Sequence, residues 1–160
     1  MVVVFNSSPW IFLSKLGIIE PALSLFKQAF IPSSASEEIL SKRNKAASAL
    51  AELQKEMHVT VLEAENLRLL NALGNRLGRG EAEAITIALE TKADIVALDD
   101  HVARTEAMRL GLQVKGTLGI IRRLMELDRF EGDVRELFEN LKRMNFRVRD
   151  KVFWEIFKGI

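Results

Sequence analysis

The acidic residues that could act together on a substrate are scattered along the sequence, and each stands at a structural boundary. Asp99 and Asp100 close the run Ile95-Val-Ala-Leu98, four apolar residues without a polar break, which reads as a strand buried on both faces. In open parallel sheets ligands collect at the carboxyl ends of strands, so acids at this place are candidates for chemistry, although an Asp pair is also an ordinary turn. Asn6 holds the corresponding place after Val2 to Phe5, with Ser7-Ser8-Pro9 behind it. Glu81 opens the helical stretch Gly80 to Glu90. At 100° per residue it shares the face of Ala84, Ile85 and Ala88, so it is expected to point toward the sheet, where a carboxylate needs a partner. Glu83 is rotated away and is expected to be a solvated surface charge. Glu37 and Glu38 fall in the first turn of another helix, where the helix dipole alone favours negative charge.

The elements that must position these residues alternate between strand and helix. Strands are expected at 2–5, 29–31, 59–62, 95–98 and 112–114. Helices are expected at 9–15, from Pro21, at 65–73, 80–90 and 102–110. Ser34-Ala-Ser-Glu37 has the spacing of a capping box, and Ser36 to Met57 reads as a long amphipathic helix or a helical hairpin. Gly74 to Gly80 is glycine-rich but carries neither a Walker A nor a dinucleotide fingerprint. Residues 117–158 are helical on pattern, with breaks near 128–132 and 145–149, and their apolar and aromatic residues are expected to pack on the sheet or on a partner chain. Repeated βα units imply right-handed crossovers and a mainly parallel sheet with helices on both faces. In such a sheet Asn6 and Asp99 share one edge.

Composition narrows the chemistry. A chain of 160 residues, 48% hydrophobic and 28% charged, fits one globular domain. Without cysteine and with only His58 and His101, the metal chemistry left open is oxygen ligation by Asp and Glu. Residues 1–103 carry 10 Lys and Arg against 13 Asp and Glu, and residues 104–160 carry 13 against 9. An acidic site bordered by a basic C-terminal third suits an anionic substrate. No apolar run reaches bilayer length and Met1 to Phe5 lacks the form of a signal peptide, so a cytoplasmic protein without a membrane partner is expected.

Taken in order, Pro32-x-x-Ala-x-x-Glu38, Gly80-Glu81-Ala-Glu-Ala-Ile85 and Leu98-Asp-Asp-x-x-Ala-Arg104 resemble the PIN-domain family of metal-dependent ribonucleases. Gly111-Leu112 with Gly116-Thr-Leu-Gly-Ile120 resembles its VapC-like toxin subgroup. The resemblance implies an α/β fold, a three-layer α/β/α sandwich forming one domain over 1–160, with a core at 1–116 and a helical extension at 117–160. It also implies Mg2+ or Mn2+ held by Glu38, Glu81, Asp99 and Asp100, with the register between the two Asp residues open. Asn6 stands where the family's usual Asp is found, and brings an oxygen ligand without charge. The roles that follow are ligation by Glu38, Glu81 and Asp99, water orientation by Asn6 or Asp100, substrate contact by Ser7, and a phosphate contact or acid pairing by Arg104. The implied reaction is endonucleolytic hydrolysis of single-stranded or structured RNA, with a small antitoxin protein and a second copy of the chain as partners. The alternative is a PIN-like module that binds RNA or protein without cutting.

Overall fold

Five short strands and ten helices make up the chain in the computed structural model, which describes residues 1–160. The strands are β1 (Val2–Phe5), β2 (Gln28–Pro32), β3 (Thr60–Leu62), β4 (Ile95–Ala97) and β5 (Val114–Lys115). They form one sheet in the order β3-β2-β1-β4-β5, and every neighbouring pair is parallel. The sheet is therefore wholly parallel, and β1 lies at its centre.

Alternation explains why β1 and β4 are apolar throughout. Val3 and Phe5 of β1 enter a core of 27 buried residues on one face, while Val4 enters a core of 12 on the other. Ile95 and Ala97 divide from Val96 in the same way. In β1 from Val3 and throughout β4 each residue is buried, so no position there favours a polar side chain, whereas the exposed ends of β2, β3 and β5 carry Gln28, Thr60 and Lys115. The larger core is covered by α1 (Ser7–Lys15), α2 (Ile19–Leu23), α3 (Ser33–Ser41) and α4 (Lys45–Lys55), together with the C-terminal α8 (Thr117–Glu126), α9 (Val134–Arg143) and α10 (Asp150–Ile156). The smaller is covered by α5 (Leu67–Gly74), α6 (Arg79–Glu90) and α7 (His101–Arg109). Leaving β1, the chain turns to one face; leaving β4, it turns to the other. The crevice at the carboxyl ends of these two strands is thus a topological switch point.

Two local readings are corrected and one left open is decided. The Ser34 to Glu37 capping box does not form, because α3 starts at Ser33 behind Pro32 and has no side-chain cap of its own. The segment from Ser36 to Met57 is a hairpin, broken at Arg43, whose φ of +49° ends one helix, and restarted by Asn44, whose side chain accepts from Ala46 and Ala47. Glu83 is not a surface charge. It is 3% exposed, and every residue from Ala82 to Ala88 is buried, so α6 has no solvated face there for it to occupy.

The C-terminal helices break where expected, at Asp128 and Asn145 with positive φ and at Gly132 with φ +120°. Leu137, Phe138, Leu141, Phe153 and Phe157 pack into the larger core, whereas Trp154 lies 41% exposed against Phe138 and Phe153.

Candidate active site

Asn6 follows the last residue of the central strand and is the N-cap of α1. An Asn at that position ordinarily turns its side-chain oxygen onto the first helical amides. Here it makes no such bond. The side chain is 4% exposed, and Oδ1 is fully buried without a hydrogen-bond partner. A buried acceptor left unpaired is costly, so this oxygen is available to a ligand.

What surrounds it is a polar cleft of 540 Å³ lined by Asn6, Ser7, Ser34, Glu37, Glu38, Arg79, Gly80 and Glu81, without one hydrophobic residue. The walls are the beginnings of α1, α3 and α6. Parallel topology makes all three helices start at the same edge, which is how residues 6, 38 and 81 come together. Ser7 Oγ donates to Glu38 Oε2 at 2.9 Å, fixing one acidic wall to the strand end. Opposite it, Gly80 lets α6 approach closely: a Cβ there would lie 3.1 Å from Asn6 Oδ1. Glu81 follows in the first turn of α6, partly exposed.

The buried Glu83 braces this arrangement. Its Oε1 accepts from the backbone N–H of Ser33 at 3.1 Å and from Ser33 Oγ at 2.9 Å, so α6 caps the start of α3 from outside. The two acidic walls, Glu38 on α3 and Glu81 on α6, are joined through this bond. Glu37, Ser34 and Arg79 also line the cleft and were missed as site residues. Their adjacency to Glu38 and Glu81 was the available signal.

The strand-end acids are placed differently. Asp99 Oδ1 accepts from the Thr117 N–H, and its Oδ2 accepts from Thr117 Oγ and Ser8 Oγ, each at 2.7 Å. It ties β4 to the starts of α1 and α8, and it is not among the cleft-lining residues. Asp100 is exposed and caps α7 by accepting from Ala103 N at 2.9 Å. Arg104 pairs with no acid; its Nη1 donates to the Leu98 carbonyl at 3.1 Å. A Cβ at Gly116 would lie 2.5 Å from that Nη1 and 3.2 Å from Asp99 Oδ1, so glycine is what lets β5 turn into α8 beside this pair.

No three Asp, Glu or His side chains gather tightly enough to hold a cation by themselves. The donors present still suit a hard cation. Asn6 Oδ1 is an orphaned oxygen, Glu38 and Glu81 supply charge on either wall, and Mg2+ or Mn2+ needs few protein ligands when water and phosphate oxygens complete its shell. Elsewhere, no helix is long and apolar enough to cross a membrane.

Comparison with known proteins agrees with this architecture. No curated protein matches the chain. Among solved structures, a PilT N-terminus domain protein, SSO1118, from the hyperthermophilic archaeon Sulfolobus solfataricus P2 superposes with a TM-score of 0.54 at 16% identity, covering 83% of this chain and 97% of that one. At that identity the likeness concerns the fold. The family model DUF3368, described as a PIN domain, matches residues 2–160. With the match spanning nearly every residue, the chain belongs to the PIN domain family.

Proposed function

We propose that the protein is a metal-dependent endoribonuclease acting at the cleft between α3 and α6. The observation that carries this reading is the N-cap Asn6, whose buried Oδ1 is withheld from its own helix and left free beside Glu38 and Glu81. Nuclease activity is common in the family, and a divalent cation bound by Asn6, Glu38 and Glu81 would supply Lewis-acid stabilisation of the phosphate and a more acidic water. Ser7 orients Glu38, and Glu83 holds the two walls at a fixed separation. The first amides of α6, which lack intrahelical acceptors, favour an anionic substrate at the mouth. Asp99 acts here by locking the strand ends.

Within this reading, the sequence resemblance to VapC-like toxins supports a cytoplasmic toxin restrained by a small antitoxin protein, with a homodimer as the working unit. Light scattering on the purified chain tests the dimer. A second reading has its own observation: with Asn6 neutral and Asp99 engaged, the cleft holds less charge than a carboxylate at position 6 would give, as expected of a module that binds RNA or protein without cutting.

Cleavage of a mixed single-stranded RNA pool, with Mg2+, Mn2+ or chelator, separates the two. Cutting that needs metal and disappears in folded Glu38→Ala and Glu81→Ala variants supports the nuclease. Cutting that is equal in all three proteins signals a contaminant and removes the support. An inactive native protein that gains cutting as Asn6→Asp favours the binding module.

A further inference from the structure

Arg79 lines the polar cleft and a second concavity as well. On its other side lies a hollow of 600 Å³ between α5 and α6, lined by Leu70, Asn71, Gly74, Asn75, Leu77, Arg79 and Ala82. Arg79 belongs to both walls, as the first residue of α6. Its side chain is exposed and forms no ion pair. A guanidinium left unpaired beside an acidic cleft, at a helix start whose amides lack partners, is placed to hold an anion.

The hollow beyond is of a different character. Asn71 on α5 and Asn75, the C-cap that follows it in αR conformation, are four residues apart, so they fall on one face, and both are exposed. Leu70 and Leu77 supply apolar edges. Two amides, each with donors and an acceptor, beside apolar side chains suit a planar heterocycle with polar edges.

We infer that cleft, Arg79 and hollow form one track for a single RNA strand. Arg79 grips the phosphate next to the scissile one, and the α5–α6 hollow takes the adjoining base, whose edge is read by Asn71 and Asn75. Placing a substrate contact at Arg79 extends the ribonuclease reading and rests on it. The unpartnered Asn6 Oδ1, buried at the cleft end, marks where the track meets the reacting phosphate.

Two measurements test the track. The first is steady-state cleavage of oligoribonucleotides randomised at one position, by native protein and by Arg79→Gln, Arg79→Lys, Asn71→Ala with Asn75→Ala, and the control Arg135→Gln on α9. The second is anisotropy of a labelled oligoribonucleotide in chelator across a salt series. Arg79→Gln is expected to raise KM about tenfold, the scale of one lost charged hydrogen bond. It should also lower the salt slope by about 0.7, the value of one phosphate contact on a single strand. Arg79→Lys should keep that slope. The double Asn variant should raise KM about tenfold and flatten base preference at one position beside the cut. Arg135→Gln should match native protein. A native protein that cuts RNA while the Arg79 and Asn variants, folded by melting, stay within about twofold of it in KM overturns the track alone. A native protein that neither cuts nor binds RNA overturns the ribonuclease reading, and the track with it.

Discussion

Asp99→Ala is expected to unfold at a markedly lower temperature than native protein, for reasons separate from catalysis. Three donors converge on this carboxylate at 2.7 Å, and two of them belong to Thr117, which has no exposed surface. Alanine removes the acceptor, and water entering the space it leaves replaces only part of what the N–H and hydroxyl of Thr117 lose. Hydrogen bonds to a charged acceptor contribute about 1.5–3 kcal/mol each, and stranded buried donors cost about 1–3. Asp99 is itself partly exposed and Ser8 is only part-buried, so simple addition overstates the total. A net loss of about 3–4 kcal/mol is expected, which for a chain of this length lowers Tm by roughly 10 °C. Asp99→Asn keeps the shape. Its Oδ1 still accepts from Thr117 N–H, and the hydroxyls of Ser8 and Thr117 can turn to accept from the amide, so a loss of about 1 kcal/mol is expected. Urea titration at constant m, with scanning calorimetry, measures both. An Asp99→Ala protein within about 1 kcal/mol of native, or an Asn variant as damaged as the Ala one, would refute the bracing role. The practical consequence is that only Asp99→Asn asks whether cleavage needs the Asp99 charge.

Glu83→Ala should cost about 2–4 kcal/mol, because it strands both donors of Ser33 and opens a cavity between α3 and α6, while Glu83→Gln, keeping an acceptor, should cost less than half of that; the denaturation midpoint decides, and equal losses would sink the capping argument. A hydrogen bond from Arg109, joined by the charges of Arg109 and Arg76, holds the Glu106 carboxyl below the usual carboxylate range, burial opposing it. Because the folded value is depressed, this contribution is complete above the ordinary carboxylate pKa and is lost as pH falls through the lower, folded value. The acid limb of stability against pH should therefore flatten in Glu106→Gln, and an unchanged limb would exclude Glu106 as its source. Asn6→Asp places a charge on the orphaned oxygen and should tighten Mn2+ binding measured by calorimetry about tenfold; unchanged affinity would mean that Asn6 does not face the cation.

How far the sequence was legible follows from what each signal presupposes. The apolar runs at 2–5 and 95–98 are strands because a doubly covered parallel sheet buries both faces, and this holds however the rest packs. Element order then puts Asn6 and Asp99 at one edge, whereas Glu38 and Glu81 join them only through the family resemblance, and Asp99 does not line the cleft. Glu83 was misread because helical amphipathicity assumes one buried face, and α6 is enclosed by the sheet, α3 and α5 together. The capping box failed for a related reason. A local pattern competes with distant partners, and the Glu83 carboxylate reaches Ser33 N–H from 50 residues away. Arg79 carries no local signature beyond its place two residues before Glu81. Its significance comes from standing between two concavities that only the packing of α5 on α6 creates.

The helix starts around the sheet edge share one device. Glu83 caps α3, Asp99 caps α8, and Glu90 accepts from the N–H groups of Glu65 and Asn66 ahead of α5, each carboxylate arriving from a different element. Such acceptors satisfy helix donors that have no intrahelical partner, and at the same time they fix the separation between elements. The starts of α1 and α6 are the exceptions. Neither has a side-chain cap, and both open into the polar cleft at Asn6 and Arg79. A fold that gives α3, α7 and α8 a side-chain acceptor at their starts, local for α7 and distant for α3 and α8, but leaves α1 and α6 without one keeps their donors, together with the orphaned Asn6 oxygen, for something outside the chain. An oxygen acceptor beside free amides and a guanidinium matches a ligand that brings both cation and anion, which is what a metal-bound phosphodiester presents.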